Sequence, residues 1–374
     1  MKIAFIVQPD WLTVHFGVRN LFVSCYKILK QHAIDVDFVM PDIHGNKTNW
    51  YRVFPDSGFL TSHVKTTKLD KTKNYNKINA VPVDSINANS CKQYLGTSLK
   101  NCYDVAVITN PWLMDKPIDI DIKKQIMICY DIVANKFALN QPVLLPWGYA
   151  HNAGYQYGLR KNVHFLSISP KIDEEISDCY HPQFHSALPA ILPPGFLNIP
   201  ETDIVKKNIV VLAAPFDPRK GLADIPKYLN ALADDIDAVH IFGRPRCGAE
   251  LYDKFFKELK VPVVHYIDIT NDDLIELYKS AKILLFPSLE EGLGLPILEA
   301  QVCGCPVVTT DIPPMNKNVI NGYGHILTGD DARDFNEMKK LLHDNIDYKK
   351  LSDDAQTRFS AEQIYKHFMS IIKD

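Results

Sequence analysis

Two glutamates lie on either side of a glycine-rich turn in this chain. Residues 286–308 have the sequence FPSLEEGLGLPILEAQVCGCPVV, in which Glu291 comes directly before Gly292. Gly294 follows within the same turn, and Glu299 stands eight residues after Glu291. Glycines let a backbone approach a ligand closely because they carry no Cβ. The spacing therefore predicts a ligand-binding turn between two carboxylates.

A helix is predicted to begin at Pro296, because its fixed φ suits the first helical position and its missing N–H costs nothing there. The N–H groups around Leu293, Gly294 and Leu295 then form an anion site that the helix dipole favours. Carboxylates repel phosphate, so we expect the two glutamates to accept hydrogen bonds from hydroxyl groups on either side of it. That layout fits a nucleotide sugar: sugar, diphosphate, ribose. The alternative is a surface turn that caps an amphipathic helix, with two solvated glutamates.

This segment resembles the Glu-x7-Glu signature of retaining glycosyltransferases of family 4, which have the GT-B fold. The resemblance rests on the carboxylate spacing, on Gly-Leu-Gly-Leu-Pro and on the downstream Cys-Gly-Cys-Pro-Val-Val. It implies that Glu291 contacts hydroxyl groups of the donor sugar and that Glu299 holds the ribose diol. It also implies a nucleotide-diphosphate-sugar donor, a glycan or glycolipid acceptor and a role in surface-polysaccharide biosynthesis.

A cationic motif, FDPRKG, follows a predicted strand over residues 209–214. A cation here can neutralise the diphosphate, which gains charge as the glycosidic bond breaks. The resemblance gives this role to Lys220, with Arg219 as a weaker candidate in the donor site. A solvated turn that caps a helix is the alternative. On this interpretation Lys220 and Glu291 are the catalytic residues.

The chain departs from the family pattern just before this motif. The family usually carries Gly-Arg six residues before the lysine, whereas this chain has Ala213 and Ala214. One phosphate-binding guanidinium is therefore missing. Either Arg219 or Arg244, which follows a predicted strand ending near Gly243, takes its place, or the leaving group is stabilised less.

Four candidates lie in the first half of the chain, each near the end of a predicted strand. Gly17 stands where the family often has a glycine pair that contacts the diphosphate or the acceptor, but a turn glycine without a ligand is equally open. His15 is either a contact to acceptor or sugar, or an ordinary histidine. Tyr130 replaces a family histidine that touches the C6 hydroxyl of the donor sugar, which leaves room for a 6-deoxy or modified sugar. Asp131 either binds an acceptor hydroxyl or caps a helix.

Alternating apolar runs and helical periodicities predict two doubly wound α/β domains with parallel sheets. The resemblance implies a GT-B arrangement with an acceptor-binding domain over 1–200, a nucleotide-sugar-binding domain over 201–358, and a last helix over 359–374 that crosses back. The candidate residues are predicted to face one interdomain cleft. Residues 41–100 are polar and receive no assignment. Strands are predicted over 2–8, 36–40, 103–109, 125–130, 164–169, 209–214, 238–242, 263–267, 283–286 and 306–309.

Composition narrows the class of protein. The 374 residues are 46% apolar and 23% charged, as in ordinary soluble proteins, and the net charge of −3 does not suggest nucleic acid as a partner. No cysteine pair has C-x-x-C spacing, so reduced thiols in a cytoplasmic protein are expected. No apolar run approaches the roughly 20 residues of a membrane span, which leaves peripheral membrane association. A lysine-rich segment over 65–77 is either a solvated loop or a positive rim for an anionic acceptor or a membrane.

The resemblance implies that the acceptor attacks from the face of the leaving group and that a phosphate oxygen takes its proton. No cofactor or metal is expected, because cationic side chains take that role. Two alternatives stay open. A glycoside hydrolase also uses two carboxylates, set roughly 5 to 9.5 Å apart, although Lys220 has no role in such an enzyme. A catalytically degenerate partner subunit is the other, which the missing arginine and the replaced histidine favour.

Overall fold

The structure of the protein is a computed structural model that describes residues 1–8, 16–44, 47–54, 66–68, 92–115, 118–137, 145–201, 203–245 and 247–373. The chain forms two compact units. The first contains the described residues of 1–61, 84–194 and 360–374, and the second contains those of 62–83 and 195–359. His15 and most of the lysine-rich segment lie outside the described residues.

The first unit is built on one sheet, with the strand order β5-β3-β2-β1-β6-β7-β8-β9. The strands β2, β1, β6, β7, β8 and β9 pair in parallel in this order. At one edge, β3 pairs antiparallel with β2, and β5 pairs antiparallel with β3. The five strands predicted in this half are confirmed. The strands are β1 (Lys2–Ile6), β2 (Asp35–His44), β3 (Lys47–Val53), β5 (Lys92–Gly96), β6 (Val105–Ile108), β7 (Lys124–Cys129), β8 (His164–Ser167) and β9 (His185–Ala187).

Helices pack their apolar side chains on this sheet. In the first of them, residues at helical spacing such as Leu21, Phe22 and Cys25 are buried. The ring of Phe22 meets that of Phe38 on β2 edge to face, with centroids 6.1 Å apart. The helices of this part are α1 (Phe16–Gln31), α2 (Val133–Phe137), α3 (Leu145–Arg160) and α4 (Pro170–Tyr180).

The second unit has its own sheet, with the order β15-β14-β13-β10-β11-β12-β4. Every neighbouring pair is parallel except β12 with β4, a short edge strand from the region that the sequence left unassigned. The five strands predicted here are confirmed as well. The strands are β4 (Thr67–Lys68), β10 (Lys207–Ala213), β11 (Ala238–Phe242), β12 (Val263–Asp268), β13 (Ala281–Phe286), β14 (Val307–Thr310) and β15 (Gly324–Leu327).

An aromatic-rich core joins this sheet to its helices. Phe216 is buried among the rings of Tyr252, Phe255 and Phe256, with centroids 4.7 to 5.7 Å away. Among the described residues, no helix is both long enough and apolar enough to cross a bilayer. The helices of this unit are α5 (Ile225–Ala231), α6 (Ala249–Glu258), α7 (Asn271–Ser280), α8 (Leu295–Val302), α9 (Met315–Asn318), α10 (Asp331–His343) and α11 (Tyr348–Arg358).

The last helix, α12 (Ala361–Lys373), belongs to the first unit rather than to the second. Its buried side chains Ile364, Phe368 and Ile371 recur at helical spacing. The ring of Phe368 stacks on that of Phe5 in β1, with centroids 6.4 Å apart and planes at 13°. The final residues of the chain therefore complete the core around the first strand.

Candidate functional site

The strand order of the second sheet reverses between β10 and β13. These two strands are parallel neighbours, with Leu212 opposite Leu285. From β10 the chain continues to β11 on one side, whereas from β13 it continues to β14 on the other. Ligands of open parallel sheets bind outside the carboxyl ends of the strands at such a reversal. Lys220 follows β10 and Glu291 follows β13, so both lie where a ligand is expected.

A tight turn after β10 presents Lys220. Asp217 caps the 3-10 turn Pro218–Lys220, with Oδ1 accepting from the N–H of Arg219 at 3.0 Å. The guanidinium of Arg219 also donates to Asp217, at 2.8 Å. Gly221 ends the turn with φ 70°, and a Cβ there would lie 2.2 Å from the carbonyl oxygen of Pro287. Only glycine therefore allows the loops after β10 and β13 to touch.

These two loops are joined by an ion pair and by hydrogen bonds. The Nζ of Lys220 donates to Oε1 of Glu291, and the exposed fractions of the two side chains are 18% and 15%. The N–H of Leu289 donates to the carbonyl oxygen of Arg219 at 2.7 Å. The hydroxyl of Ser288 has a single proton, and its shortest contact, 2.8 Å, is to Oε1 of Glu291. Glu291 is thus held from two sides.

The glycine turn leads directly into α8. Gly294 precedes the helix with φ 77° and ψ 48°, and no side chain in the described part of the chain caps this end. The helix begins at Leu295, with Pro296 second, so the prediction that Pro296 is first was wrong by one residue. A Cβ at Gly294 would lie at ordinary contact distances, 3.5 Å from Ile297 and 3.6 Å from Met315. The positive φ, rather than crowding, therefore favours glycine here. The first N–H groups of a helix have no partner within it.

Two buried amides, which the sequence analysis missed, brace this turn. The Nδ2 of Asn318 donates to the carbonyl oxygen of Leu293 at 2.7 Å. The Nε2 of Gln301 donates to the backbone oxygen of Asn318 at 2.9 Å, and its Oε1 accepts from the N–H of Ile320 at 2.6 Å. Asn318 lies in α9, in the connection that follows β14. The rule that site residues follow parallel strands is the sequence signal that leads to it.

Glu299 lies in α8 and is largely buried, with 9% of its surface exposed. Its Oε2 accepts a hydrogen bond from the hydroxyl of Tyr278 at 3.2 Å. Burial raises the pKa of Glu299 to about 7, although the hydrogen bond from Tyr278 acts in the opposite direction. The carboxyl group therefore changes between its protonated and its ionised form near neutral pH. The sequence analysis did not find Tyr278.

The structure places Arg244 beside Asp268, at the ends of β11 and β12. Its Nε and Nη2 donate to the two carboxylate oxygens at 3.0 and 2.6 Å. Ala214, where the resemblance leads us to expect an arginine, has φ 45°, a conformation that is unfavourable for residues other than glycine. A Cβ at Gly243 would lie 2.9 Å from that of Ala214. The turn at Ala214 is therefore both strained and closely packed.

Three candidates from the first half of the chain, Gly17, Tyr130 and Asp131, lie in the described part of the first unit. Gly17 is in the first turn of α1, and no described atom lies within 4 Å of a Cβ built there. Tyr130 is 5% exposed, and its hydroxyl donates to the carbonyl oxygen of Thr109 at 2.8 Å. The Oδ1 of Asp131 accepts from the N–H of Val133 at 3.0 Å, so this side chain caps α2. Contacts from these residues to a sugar or an acceptor stay predictions.

Comparison with known proteins supplies the family of the second unit. A family model described as Glycosyl transferases group 1 matches residues 198–358. The second unit carries a glycosyl transferases group 1 domain. The group 1 domain includes Lys220, Glu291 and Glu299. The O-antigen chain mannosyltransferase RfbU of Salmonella typhimurium is 23% identical over 191 residues, which are 49% of this chain and 53% of that protein. The match thus spans about half the length of this curated relative.

Solved structures show that the fold is GT-B. TarM superimposes with a TM-score of 0.66 and 12% identity, over 100% of this chain and 99% of that chain. HepE of Anabaena, solved in complex with UDP and glucose, has a TM-score of 0.59 and 14% identity over 100% of each chain. At these identities the likeness establishes the fold of the chain and carries no evidence on its catalytic activity.

Proposed function

We propose that this protein is a retaining glycosyltransferase that transfers a sugar from a nucleotide-diphosphate sugar to a glycan or glycolipid acceptor. The similarity to RfbU, an O-antigen chain mannosyltransferase, supports a role in surface-polysaccharide biosynthesis. The complex of HepE with UDP and glucose supports a nucleotide-sugar donor.

One observation carries this proposal: the ion pair of Lys220 and Glu291 lies where the strand order reverses, in the unit that also contains the uncapped start of α8. An ammonium group has three N–H donors, and the bond to Glu291 uses one. Because the bond to Glu291 holds Lys220 in place, its ammonium group donates to diphosphate oxygens without first having to move. A fixed charge of this kind lowers the activation barrier, since no reorganisation is needed as charge develops. The N–H groups of Gly294 and Leu295 donate to the same diphosphate.

The two glutamates then have separate roles. Glu291, held through Oε1 by Lys220 and Ser288, accepts from hydroxyl groups of the sugar and stabilises positive charge at the anomeric carbon. Glu299 accepts from the ribose diol. The acceptor hydroxyl attacks from the face that the diphosphate leaves, the new C–O bond forms as the old one breaks, and a phosphate oxygen receives the proton. Since Lys220 neutralises the leaving group, we expect activity to persist in EDTA.

Isothermal titration with UDP, GDP, ADP and dTDP tests the donor site directly. We expect one of these nucleotides to bind, and Lys220→Ala to weaken that binding by about tenfold or more. Lys227→Ala is the matched control, because Lys227 pairs with the exposed Asp331 in the same unit. If no nucleoside diphosphate binds, or if the Lys220 variant binds as tightly as the wild type, the proposal fails.

Turnover separates an enzyme from a degenerate partner subunit. The chain should transfer or hydrolyse the sugar of the nucleotide sugar whose diphosphate it binds, and Glu291→Ala should abolish this reaction. Glu337→Ala serves as the control, since Glu337 forms an exposed ion pair with Lys340, three residues further along α10. Nucleotide binding without any turnover by the wild type would favour the partner subunit. A glycoside hydrolase should ignore free nucleoside diphosphates.

A further inference from the structure

An aromatic ring lies against the ammonium group of Lys220 in the second unit. The Nζ of Lys220 is 5.1 Å from the centroid of the Phe286 ring, within the roughly 6 Å at which a cation is attracted to the face of a ring. Phe286 is the last residue of β13 and is 2% exposed. The side chain of Lys220 is 18% exposed, and this attraction is stronger between groups that are shielded from water. The ring therefore holds Lys220 in addition to Glu291.

The sequence of β13 sets this ring apart from the residues before it. Ile283, Leu284 and Leu285 are aliphatic and almost completely buried, as is usual in a parallel strand that is covered on both faces. An aliphatic side chain would also fill the position of Phe286, but it would have no π system to attract a cation. Burial alone therefore does not account for a ring at the end of this strand.

The backbone that carries this ring is fixed by its neighbours. Pro287 follows Phe286, and a residue before proline is restricted to extended conformations. The hydroxyl of Thr309, a completely buried residue of β14, donates to the carbonyl oxygen of Phe286 at 2.7 Å. Gly221, directly after Lys220, lies so close to the carbonyl oxygen of Pro287 that a Cβ there would be 2.2 Å from it. The ring and the ammonium group therefore meet on two loops that already touch.

An aromatic ring can hold this cation without opposing the ligand. A lysine side chain is a compact charge on a flexible four-carbon stem, and ordering it costs conformational entropy. A second carboxylate beside Glu291 would also restrain Lys220, but it would repel a diphosphate. The face of a ring attracts the ammonium group through its quadrupole and carries no net charge. The charge of Lys220 is therefore positioned in advance and stays available to an anion.

We propose that Phe286 is a positioning residue, whose ring holds the ammonium group of Lys220 where it meets the diphosphate of the donor. This role rests on the proposed function, whereas the contact between the ring and the cation does not. Since the ring acts through its quadrupole, withdrawing charge from its face should weaken both the contact and the affinity for a nucleoside diphosphate. A ring that served only as apolar bulk would show no effect that depends on Lys220.

Fluorinated phenylalanines at position 286 test the contact itself. Monofluoro-, difluoro- and trifluorophenylalanine progressively weaken the negative face of the ring while its shape changes little. In the wild-type background, the free energy of unfolding in urea should fall along this series relative to the same series in Lys220→Met, which keeps the stem and removes the charge. Fluorine alters size and hydrophobicity equally in both backgrounds, so the difference between the two series isolates the attraction between cation and ring.

Nucleotide binding and turnover test the positioning role. For the nucleoside diphosphate that the wild type binds, Phe286→Leu should weaken the affinity by about fivefold and lower kcat by about tenfold. The trifluorophenylalanine variant, which keeps a ring in place, should show a smaller effect of the same kind. Tyr228→Leu is the matched control, because the ring of Tyr228 lies 4.9 Å from the Nζ of the exposed Lys227. This control should change neither the affinity nor kcat.

Two results would overturn the proposal while leaving the proposed function intact. One is the same trend of unfolding free energy in both backgrounds, and the other is a nucleotide affinity that Phe286→Leu leaves unchanged although Lys220→Ala weakens it. If the wild type binds no nucleoside diphosphate, the proposed function fails and the positioning role fails with it. A trend that depends on Lys220, together with weaker binding by Phe286→Leu, would establish the role.

Discussion

The Nζ of Lys220 donates to Oε1 of Glu291, although the two residues stand 71 positions apart in the sequence. The contact exists because β10 and β13 are neighbours and because Gly221 lets their loops touch. Each loop thereby positions the charged group of the other. Both side chains are mostly shielded from solvent, at 18% and 15% exposure, so removing one partner leaves the other charge poorly compensated.

Lys220→Ala should therefore lower both activity and stability. We expect kcat to fall by about 10²- to 10³-fold, since a fixed cation at the leaving group is lost. The unpaired Glu291 should also lower the free energy of unfolding, measured in urea. The double variant Lys220→Ala with Glu291→Gln should recover that stability but not the activity. Full activity in Lys220→Ala would contradict the role of this pair, whereas Lys227→Ala should change neither quantity.

Glu299→Gln should stabilise the protein at alkaline pH. Burial raises the pKa of Glu299 from 4.5 to about 7, so between these values the folded state keeps a proton that the unfolded state has released. Stability from this group is therefore full below pH 4.5 and falls as the pH rises to 7, by about 3 kcal/mol in total. We expect a higher Tm for the variant at pH 8 and an unchanged Tm at pH 4. Equal Tm values at pH 8 would contradict the burial of this carboxylate.

Glu299→Gln should weaken nucleotide binding at alkaline pH, although it stabilises the protein there. An ionised Glu299 accepts from both hydroxyls of a ribose, whereas the protonated form and glutamine also present a donor. Affinity for the nucleoside diphosphate should therefore rise with pH through 7 in the wild type, as measured by titration at pH 6 and pH 8. Glu299→Gln should bind more weakly at pH 8 and show a flatter dependence. An identical pH profile in both proteins would show that Glu299 does not face the ligand.

Alanine substitutions at Gly221, Gly294 and Gly322 should distinguish the cost of steric crowding from the cost of a positive φ. Gly221→Ala places a Cβ 2.2 Å from a backbone oxygen, at φ 70°, and should lower the free energy of unfolding by about 3 kcal/mol. Gly294→Ala and Gly322→Ala share a positive φ without a close contact among the described atoms, so each should cost about 1 to 2 kcal/mol in urea denaturation. Only Gly294→Ala, of these two, should weaken nucleotide binding. If Gly322→Ala weakens nucleotide binding equally, the weaker binding of Gly294→Ala results from lower stability alone.

Asn318→Ala should loosen the glycine turn. The substitution leaves the buried carbonyl oxygen of Leu293 without its 2.7 Å donor, which should cost about 1 to 3 kcal/mol of stability. Nucleotide affinity should fall too, because Leu293 directly precedes the N–H groups that meet the diphosphate. Asn316→Ala is the matched control, since Asn316 bonds to Asp311 at the surface. If both variants bind nucleotide equally well, the brace has no part in the donor site.

The parallel strands were predictable because a strand that is buried on both faces is a continuous apolar run. In β1, for example, residues 3 to 6 are completely buried. The antiparallel edge was not predictable in the same way. β3 (Lys47–Val53) is rich in polar residues and buries only Trp50 and Val53. It pairs with the adjacent β2, from His44 opposite Lys47 onward, but its other partner, β5, begins about 40 residues away at Lys92. Local pattern therefore carried less information there.

In the candidate site, too, some residues could be predicted from the sequence and others could not. Glu291, Glu299 and Lys220 were identifiable because their motifs are contiguous in the sequence. The contact between Lys220 and Glu291 was not, since it follows from which strands become neighbours. Ser288 and Asn318 were missed for a related reason. Each acts through a hydrogen bond to a residue of the glycine turn or its approach, and a single serine or asparagine has many alternative explanations.

The stacking of Phe368 on Phe5 also has a consequence for biosynthesis. Residues 1–194 are synthesised before α12, so the first sheet lacks this covering helix while residues 195–359 of the second unit are being made. During that interval the ring of Phe5 lacks the aromatic side chain that stacks on it in the folded protein. Expression of residues 1–194 alone would fix the chain in that immature condition.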